Sequence, residues 1–384
     1  MADTPNEPEA DAPDAHDDEH ARGRDVRALV RAHGLTAWEQ SEVALREALS
    51  QHLTVAFLGS ASSGKDSAIR TLFGIDFGDI SPIPGSTVRL RVAPLDPEGQ
   101  VLLVNAPGFG DIRPEIDELS RRALDTLDIV VYVVNAEGGA TIDEKRDLDL
   151  VRSRGRPVLV CLNKIDLIRP HERESFVVAT LQQLGVDRKD AAVCAFDPLP
   201  QLSEEPIGIG DVIGWIHHQL HAAGKELLFA KHLRNKAAAC EPIIQVAARH
   251  ASVAGAIPIP GADLAAVTAI QVKLIRDIAE VFAVPVDREV ALFIIGEVLS
   301  GSMRGFMRWG INALKAAGWI PGTQIAEAAI LGLSAMVAGG TTFGVGKAAV
   351  RFFQSDRKLD GDALRTVFDA AAWDYKRRRE SGGP

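Results

Sequence analysis

The stretch GSASSGKDS, residues 59 to 67, decides how this chain is read. It follows LTVAFL (53–58), a short apolar run suited to a buried parallel strand, and it leads into AIRTLFG, which has helical spacing and stops at Gly74. A glycine-rich turn of the form G-x-x-x-x-G-K between a strand and a helix points backbone N–H groups, and the positive end of the helix, at anionic oxygens. Gly59, Ser63 and Gly64 shape that turn, and Lys65 is placed to reach the β- and γ-phosphates of a nucleotide. One position departs from the pattern: the residue after the lysine is Asp66, where Ser or Thr is expected.

Working outward, apolar strand-like runs recur at 88–95, 101–108, 128–136, 156–166 and 191–196. Helical spacing falls between them at 115–126, 143–153 and 171–184, and a closing helix is expected over 208–220. Alternating strands and helices over this length predict an α/β domain built on a mostly parallel six-stranded sheet. At the end of the fifth run stands NKID, Asn163 to Asp166. A carboxylate there accepts two hydrogen bonds, from N1–H and the exocyclic amine of guanine, a donor pair that adenine lacks. Asp166 therefore selects guanine, Asn163 steadies the loop and the base edge, and Lys164 lays its stem along the ring.

Past about residue 224 the strand pattern ends and the remainder reads as all-helical. The expected organisation is a disordered acidic tail over 1–25, a leading helix over 26–51, a G domain over 52–223, a linking helix over 224–256 and a helical domain over 257–384. The first twenty residues carry eight acidic side chains and nothing large and apolar, too little to offset their ordering entropy. The linking helix is expected to kink at Pro242, and Asp263 is a candidate cap for the helix whose spacing is marked by Leu264, Val267, Ile270, Leu274, Ile278 and Val281.

The order of these motifs resembles the P-loop G domain of Era-like bacterial GTPases, along residues 52–222. The resemblance places a switch threonine at Thr87 in PGSTVRL, sets NAPGFGD (105–111) where the family has D-x-P-G, and puts Cys194-Ala195 in the place of the Ser-Ala that backs the base. It assigns Lys65, Thr87 and Gly108 to the catalytic side, gives Ser67 a hydroxyl directed at the α-phosphate, and implies GTP/GDP and Mg²⁺ as bound cofactors. Residues 255–355, with IPIPGAD and two glycine-rich apolar stretches, resemble the uncharacterised YcjF-type helical domain that follows such G domains. A weaker likeness is to interferon-inducible immunity GTPases.

Two departures from the family sit at the metal. The hydroxyl that ligates Mg²⁺ is replaced by Asp66, and the aspartate of D-x-P-G by Asn105, so the acidic group has moved from one motif to the other. In one reading Asp66 takes the metal with Asn105 and Thr87, a carboxylate being a good hard-oxygen ligand. In the other the metal is lost, and a carboxylate about 4 Å from a phosphate costs on the order of 4 kcal/mol at an effective dielectric near 20. Phe109 stands where some GTPases place the glutamine that orients the attacking water, and no side chain offers an obvious base. The expected activity is slow GTP hydrolysis, sped by a homodimer or a protein effector. The alternative is a pseudo-GTPase acting as a scaffold or membrane-interaction module.

The net charge of −10 argues against nucleic acid as a partner. Cys161, Cys194 and Cys240 show no metal or disulfide spacing and read as reduced core residues of a cytoplasmic protein. His217 and His221 have the spacing of a metal pair, but the expected reading is a solvated helix face. Residues 328–346 run nineteen positions without a charge and contain Gly340-x-x-x-Gly344. This leaves three readings open: bilayer insertion, peripheral membrane contact, or a buried helical hairpin in a soluble bundle.

Overall fold

The computed structural model describes residues 15–77, 91–106, 126–256, 262–299 and 324–381. The chain divides into two compact units. One comprises Met1–Glu42, Ile244–Ala279 and Pro285–Pro384, the other Val43–Ile243 and Glu280–Val284.

The second unit carries helix α1 in part (Ala15–Leu49), then β1 (Leu53–Leu58), α2 (Lys65–Phe73), β2 (Arg91–Pro94), β3 (Val101–Asn105), β4 (Ile129–Asn135), α3 (Ile142–Ser153), β5 (Val158–Asn163), α4 (Arg173–Leu184), β6 (Ala191–Val193), α5 (Ile209–His221) and α6 (Glu226–His232). The strands form one six-stranded sheet in the order β2-β3-β1-β4-β5-β6. All neighbours pair in parallel except β2, which runs antiparallel to β3. This is the mostly parallel α/β sheet that the alternating pattern predicts.

The central strands are apolar on both faces because both faces are covered. Tyr132, Val134, Val160 and Leu162 pack with Leu148 and Val151 of α3 and Val177 and Leu181 of α4. From the other face Phe57 meets Phe73 of α2 edge-on at 6.1 Å, and Phe73 meets Phe229 of α6 at 5.9 Å. Tyr132 is fully buried, and its hydroxyl donates to Asp147 at 3.0 Å, which satisfies the one polar atom that β4 places in this core. The parallel strands β1, β3 and β5 end at one edge, so the loops that follow them lie outside the carboxyl ends of the sheet, where open α/β sheets place ligands.

Helix α7 (Lys236–Gly255) follows α6, and the linking segment is two helices. The break expected at Pro242 falls at 233–235. There Arg234 N donates to Leu72 O at 2.7 Å and the Asn235 side chain accepts from Ala238 N at 3.0 Å, starting a new helix. Pro242 is carried inside α7, near its start.

The other unit contains most of α1, the later part of α7, α8 (Ala262–Val281), α9 (288–299), α10 (Gln324–Gln354) and α11 (Gly361–Glu380). It is all-helical among the described residues. Helix α1 begins at Ala15, inside the stretch whose composition argues for disorder. From that point Ala, Glu and Arg become frequent, and acidic residues occupy the first turn where the helix dipole favours them. Helix α8 starts at Ala262, so Asp263 lies within its first turn and not before it. Its buried face is also rotated from the apolar spacing: Thr268 and Gln271 are buried while Val267 and Ile270 are half-buried. The Gln271 amide donates to Thr342 of α10 at 3.3 Å, which reduces the cost of that burial.

Residues 328–346 form part of the single helix α10, not a hairpin. No described helix is long and apolar enough to cross a membrane. The glycines of α10 are packing positions: a Cβ at Gly344 would lie 2.5 Å from the Phe368 ring of α11, and one at Gly346 would lie 2.8 Å from Ile244. The basic tract in α11 is engaged locally, with Lys376 over the Trp373 ring at 4.9 Å and Arg378 paired to Asp374 at 2.7 Å.

Candidate nucleotide-binding site

The glycine-rich turn leaves β1 and enters α2 through two left-handed or extended-positive glycines, Gly59 at φ 146° and Gly64 at φ 99°. Both positions exclude a side chain. A Cβ on Gly59 would come 2.2 Å from the Val133 carbonyl, and one on Gly64 would come 2.1 Å from the Asn163 amide nitrogen. Lys65 opens α2 and folds its ammonium back over the turn, donating to the carbonyls of Gly59 (2.9 Å) and Ser60 (2.8 Å). Burial pulls the Lys65 pKa below the usual lysine range, and the adjacent Asp66 partly offsets this. The Ser63 hydroxyl is buried and has no hydrogen-bond partner among the described residues.

The two residues that depart from the family meet each other. The Asn105 amide, at the end of β3, donates to Asp66 Oδ1 at 2.5 Å. Asn105 is buried and Asp66 is exposed in the first turn of α2, where Ser67 is half-buried. A carboxylate and an amide side chain placed together beside Lys65 offer hard oxygen donors of the kind Mg²⁺ takes. The donor set thus fits the ion that the family implies.

The second loop follows β5. Asn163 is buried and bridges three segments: its amide donates to the Ser63 carbonyl at 2.9 Å, and its oxygen accepts from Phe196 N at 3.0 Å. Lys164 adopts a left-handed conformation at φ 66°, which turns the chain into the short helix carrying Asp166. Asp166 is 6% exposed, and its Oδ2 accepts from Leu199 N at 3.2 Å. Cys194 and Ala195 are buried beside this loop, with Ile165 N donating to the Cys194 carbonyl at 3.0 Å. All three cysteines are free and buried, and burial, with the neighbouring Cys194 adding to it, pushes the Cys161 thiol up in pKa.

The structure therefore brings Gly59, Ser63, Gly64, Lys65, Asp66 and Asn105 to one end, and Asn163, Lys164, Asp166, Cys194 and Ala195 to the other. Asn163 joins them. Thr87 and Gly108 lie outside the described residues, as do Phe109 and most of NAPGFGD. His217 is buried and stacked on His221 at 6.1 Å between ring centres, so the expected solvated face is half wrong. No group of three metal-ligating side chains occurs among the described residues.

One contact was not legible in the motifs. Ser60 donates to Glu144 Oε1 at 3.1 Å, and the other oxygen of that buried carboxylate closes a capping box with Thr141 at the start of α3. The sequence T-x-x-E marks the helix start. It carries no sign that the same carboxylate reaches the phosphate loop.

Comparison with known proteins agrees with this geometry. Residues 54–164 match the family described as 50S ribosome-binding GTPase, and residues 220–374 match a domain of unknown function, DUF697. Among curated proteins, GTPase Der of Pseudothermotoga lettingae is 30% identical over 129 residues, covering 31% of this chain and 30% of that protein. GTPase Era of Aquifex aeolicus is 29% identical over 126 residues, covering 30% of this chain and 42% of that protein. The chain thus spans less than half the length of each of these relatives. The fold and the first segment define a P-loop GTPase domain of the GTP-binding class. More narrowly, residues 54–164 are similar to the GTPase domains of Era and Der, and residues 220–374 match the domain of unknown function.

Proposed function

We propose that the protein is a guanine-nucleotide switch that binds GTP and GDP with Mg²⁺ and hydrolyses GTP slowly, its helical domain responding to the nucleotide state. The observation that carries this is the double hydrogen bond of Asn163, which ties the Ser63 carbonyl of the phosphate loop to the Phe196 amide of the base loop. Two loops a hundred residues apart are held at a fixed spacing, as binding of one nucleoside phosphate at both ends requires.

In this reading backbone N–H groups of residues 60–65 and the Lys65 ammonium hold the β- and γ-phosphates, with Ser67 toward the α-phosphate. The two carbonyls that now hold the ammonium are exchanged for phosphate oxygens, a stronger, charge-assisted pairing. Asp66, Asn105 and Thr87 would hold Mg²⁺, which neutralises phosphate charge when bound. Asp166 accepts from the guanine edge, and Ala195 and Cys194 back the base. Slow turnover is supported by the state of the one carboxylate that the described residues bring onto the phosphate loop by a hydrogen bond. Glu144, the carboxylate that reaches the phosphate loop, is already engaged with Ser60 and Thr141.

Two measurements test the reading. Titration with GDP and ADP should show a strong guanine preference, and preference for ADP would overturn it. Multiple-turnover phosphate release from GTP with Mg²⁺ should exceed that of Lys65→Ala; identical background release would favour the scaffold reading, in which Asp66 repels the triphosphate. A helical domain coupled to the site should change its amide exchange between GDP and a non-hydrolysable GTP analogue.

A further inference from the structure

We propose that the backbone N–H of Leu199 is a positioning group for guanine selection, holding the Asp166 carboxylate in the plane that meets the base. This inference rests on the nucleotide reading above and adds the loop after β6, 197–199, as a specificity element of that site.

Asp166 sits on a single short turn and is almost wholly buried, yet the only side-chain hydrogen bond it makes among the described residues is to Leu199 N–H, at 3.2 Å. The terminal torsion of an aspartate is broad, so a carboxylate without a directed partner does not hold one plane. An ionised carboxylate offers about four lone-pair sites, and one donor leaves room for the two donors of guanine. The Leu199 amide therefore orients the group without using it up.

The amide is itself held in place. Phe196, three residues earlier, donates its N–H to Asn163 and its carbonyl accepts from Thr71 Oγ1 at 2.8 Å, which anchors the loop to α2. Asp197 pairs with Arg70 of α2 at 2.8 Å across the surface. Beyond Leu199, its carbonyl accepts from Leu202 N (2.8 Å) and Ser203 N (3.0 Å), closing a turn. The Leu199 side chain is 51% exposed, so packing of the leucine does not account for its position. The same helix that starts at the phosphate loop thus fixes the loop that aims the base-reading carboxylate.

The test compares Leu199→Pro, which removes the N–H, with Leu199→Ala, which keeps it. Affinities for GDP and ADP are measured by calorimetry with Mg²⁺, and thermal unfolding checks the fold. Leu199→Pro should lower GDP affinity and the GDP-to-ADP preference by about tenfold, the loss expected when one donor to a charged acceptor is removed. Leu199→Ala should stay within about twofold. A Pro variant that keeps the wild-type preference, or an Ala variant that loses as much as Pro, overturns the proposal. Should Leu199→Pro fail to fold, amide exchange decides: Leu199 N–H should exchange faster in nucleotide-free Asp166→Ala than in nucleotide-free wild type, and equal rates overturn it. That comparison needs no nucleotide. A wild type that binds GDP no better than ADP would instead sink the nucleotide reading, leaving the amide contact measurable on its own.

Discussion

The phosphate end and the base end of this site were kept by different means. At the base end the motif NKID is intact, and two of its side chains are fixed by backbone groups: Asn163 by Ser63 O and Phe196 N, and Asp166 by Leu199 N. At the phosphate end two residues have exchanged character, and the pair Asp66–Asn105 is fixed by side chains holding each other. Backbone anchoring ties recognition to the fold itself. Side-chain anchoring leaves charge free to sit on either of two facing residues. In the proposed reading, base choice and metal handling are separable properties of one pocket.

The comparison can be broken most directly at the joint between the ends. Gly64→Ala forces a Cβ to within 2.1 Å of the Asn163 amide and a side chain into a left-handed backbone. It should reduce GDP affinity by about three-hundredfold, backbone strain and the lost amide-to-carbonyl hydrogen bond between Asn163 and Ser63 acting together. Retained binding by calorimetry would mean that Asn163 does not set the spacing.

Next in size is the base end alone. Asp166→Ala should cut the GDP-to-ADP preference by about a hundredfold while leaving ADP affinity unchanged, because two charge-assisted hydrogen bonds to guanine are removed. A fall in both affinities together would show that Asp166 supports the loop more than it reads the base.

A smaller effect belongs to the metal. Chelation by EDTA should weaken GDP binding of the wild type by about tenfold and that of Asp66→Ala by less than about threefold, since the carboxylate is the residue that makes binding depend on the cation. Equal sensitivity to EDTA in both proteins would remove Asp66 from the metal site. The reciprocal pair Asp66→Ser with Asn105→Asp should restore the wild-type response.

The smallest concerns the tether of the phosphate loop. Glu144→Ala breaks the capping box and the bond to Ser60, and should lower the unfolding free energy by about 1 kcal/mol. The GDP-to-ADP preference should be unchanged, and any change in it would show that the two ends are not separable.

Much of the fold was legible because its signals are local. The apolar runs of β1, β4 and β5 announce strands covered on both faces, and Gly74 marks a helix limit through its backbone conformation. The helical unit was read less well. Apolar spacing placed Val267 and Ile270 on the inner face of α8, whereas Thr268 and Gln271 are buried there. Hydrophobicity cannot foresee that a glutamine will meet Thr342 some seventy residues away. The helix break moved from Pro242 to 233–235 for a similar reason: a proline near the start of a helix disturbs few hydrogen bonds, while Arg234 has a partner at Leu72 that no local rule contains.

By itself the sequence determined which residue types could bind a guanine nucleotide, because phosphate loops and the NKID turn are short segments whose chemistry is set by neighbours in the chain. It also displayed the exchange of charge between positions 66 and 105. Only the tertiary structure decided that these two side chains touch, that Asn163 spans both loops, and that a backbone amide from the loop after β6 reaches Asp166. Those contacts join residues from 33 to 100 positions apart. They depend on how parallel strands align their carboxyl ends, a property of the packed sheet as a whole and not of any segment within it.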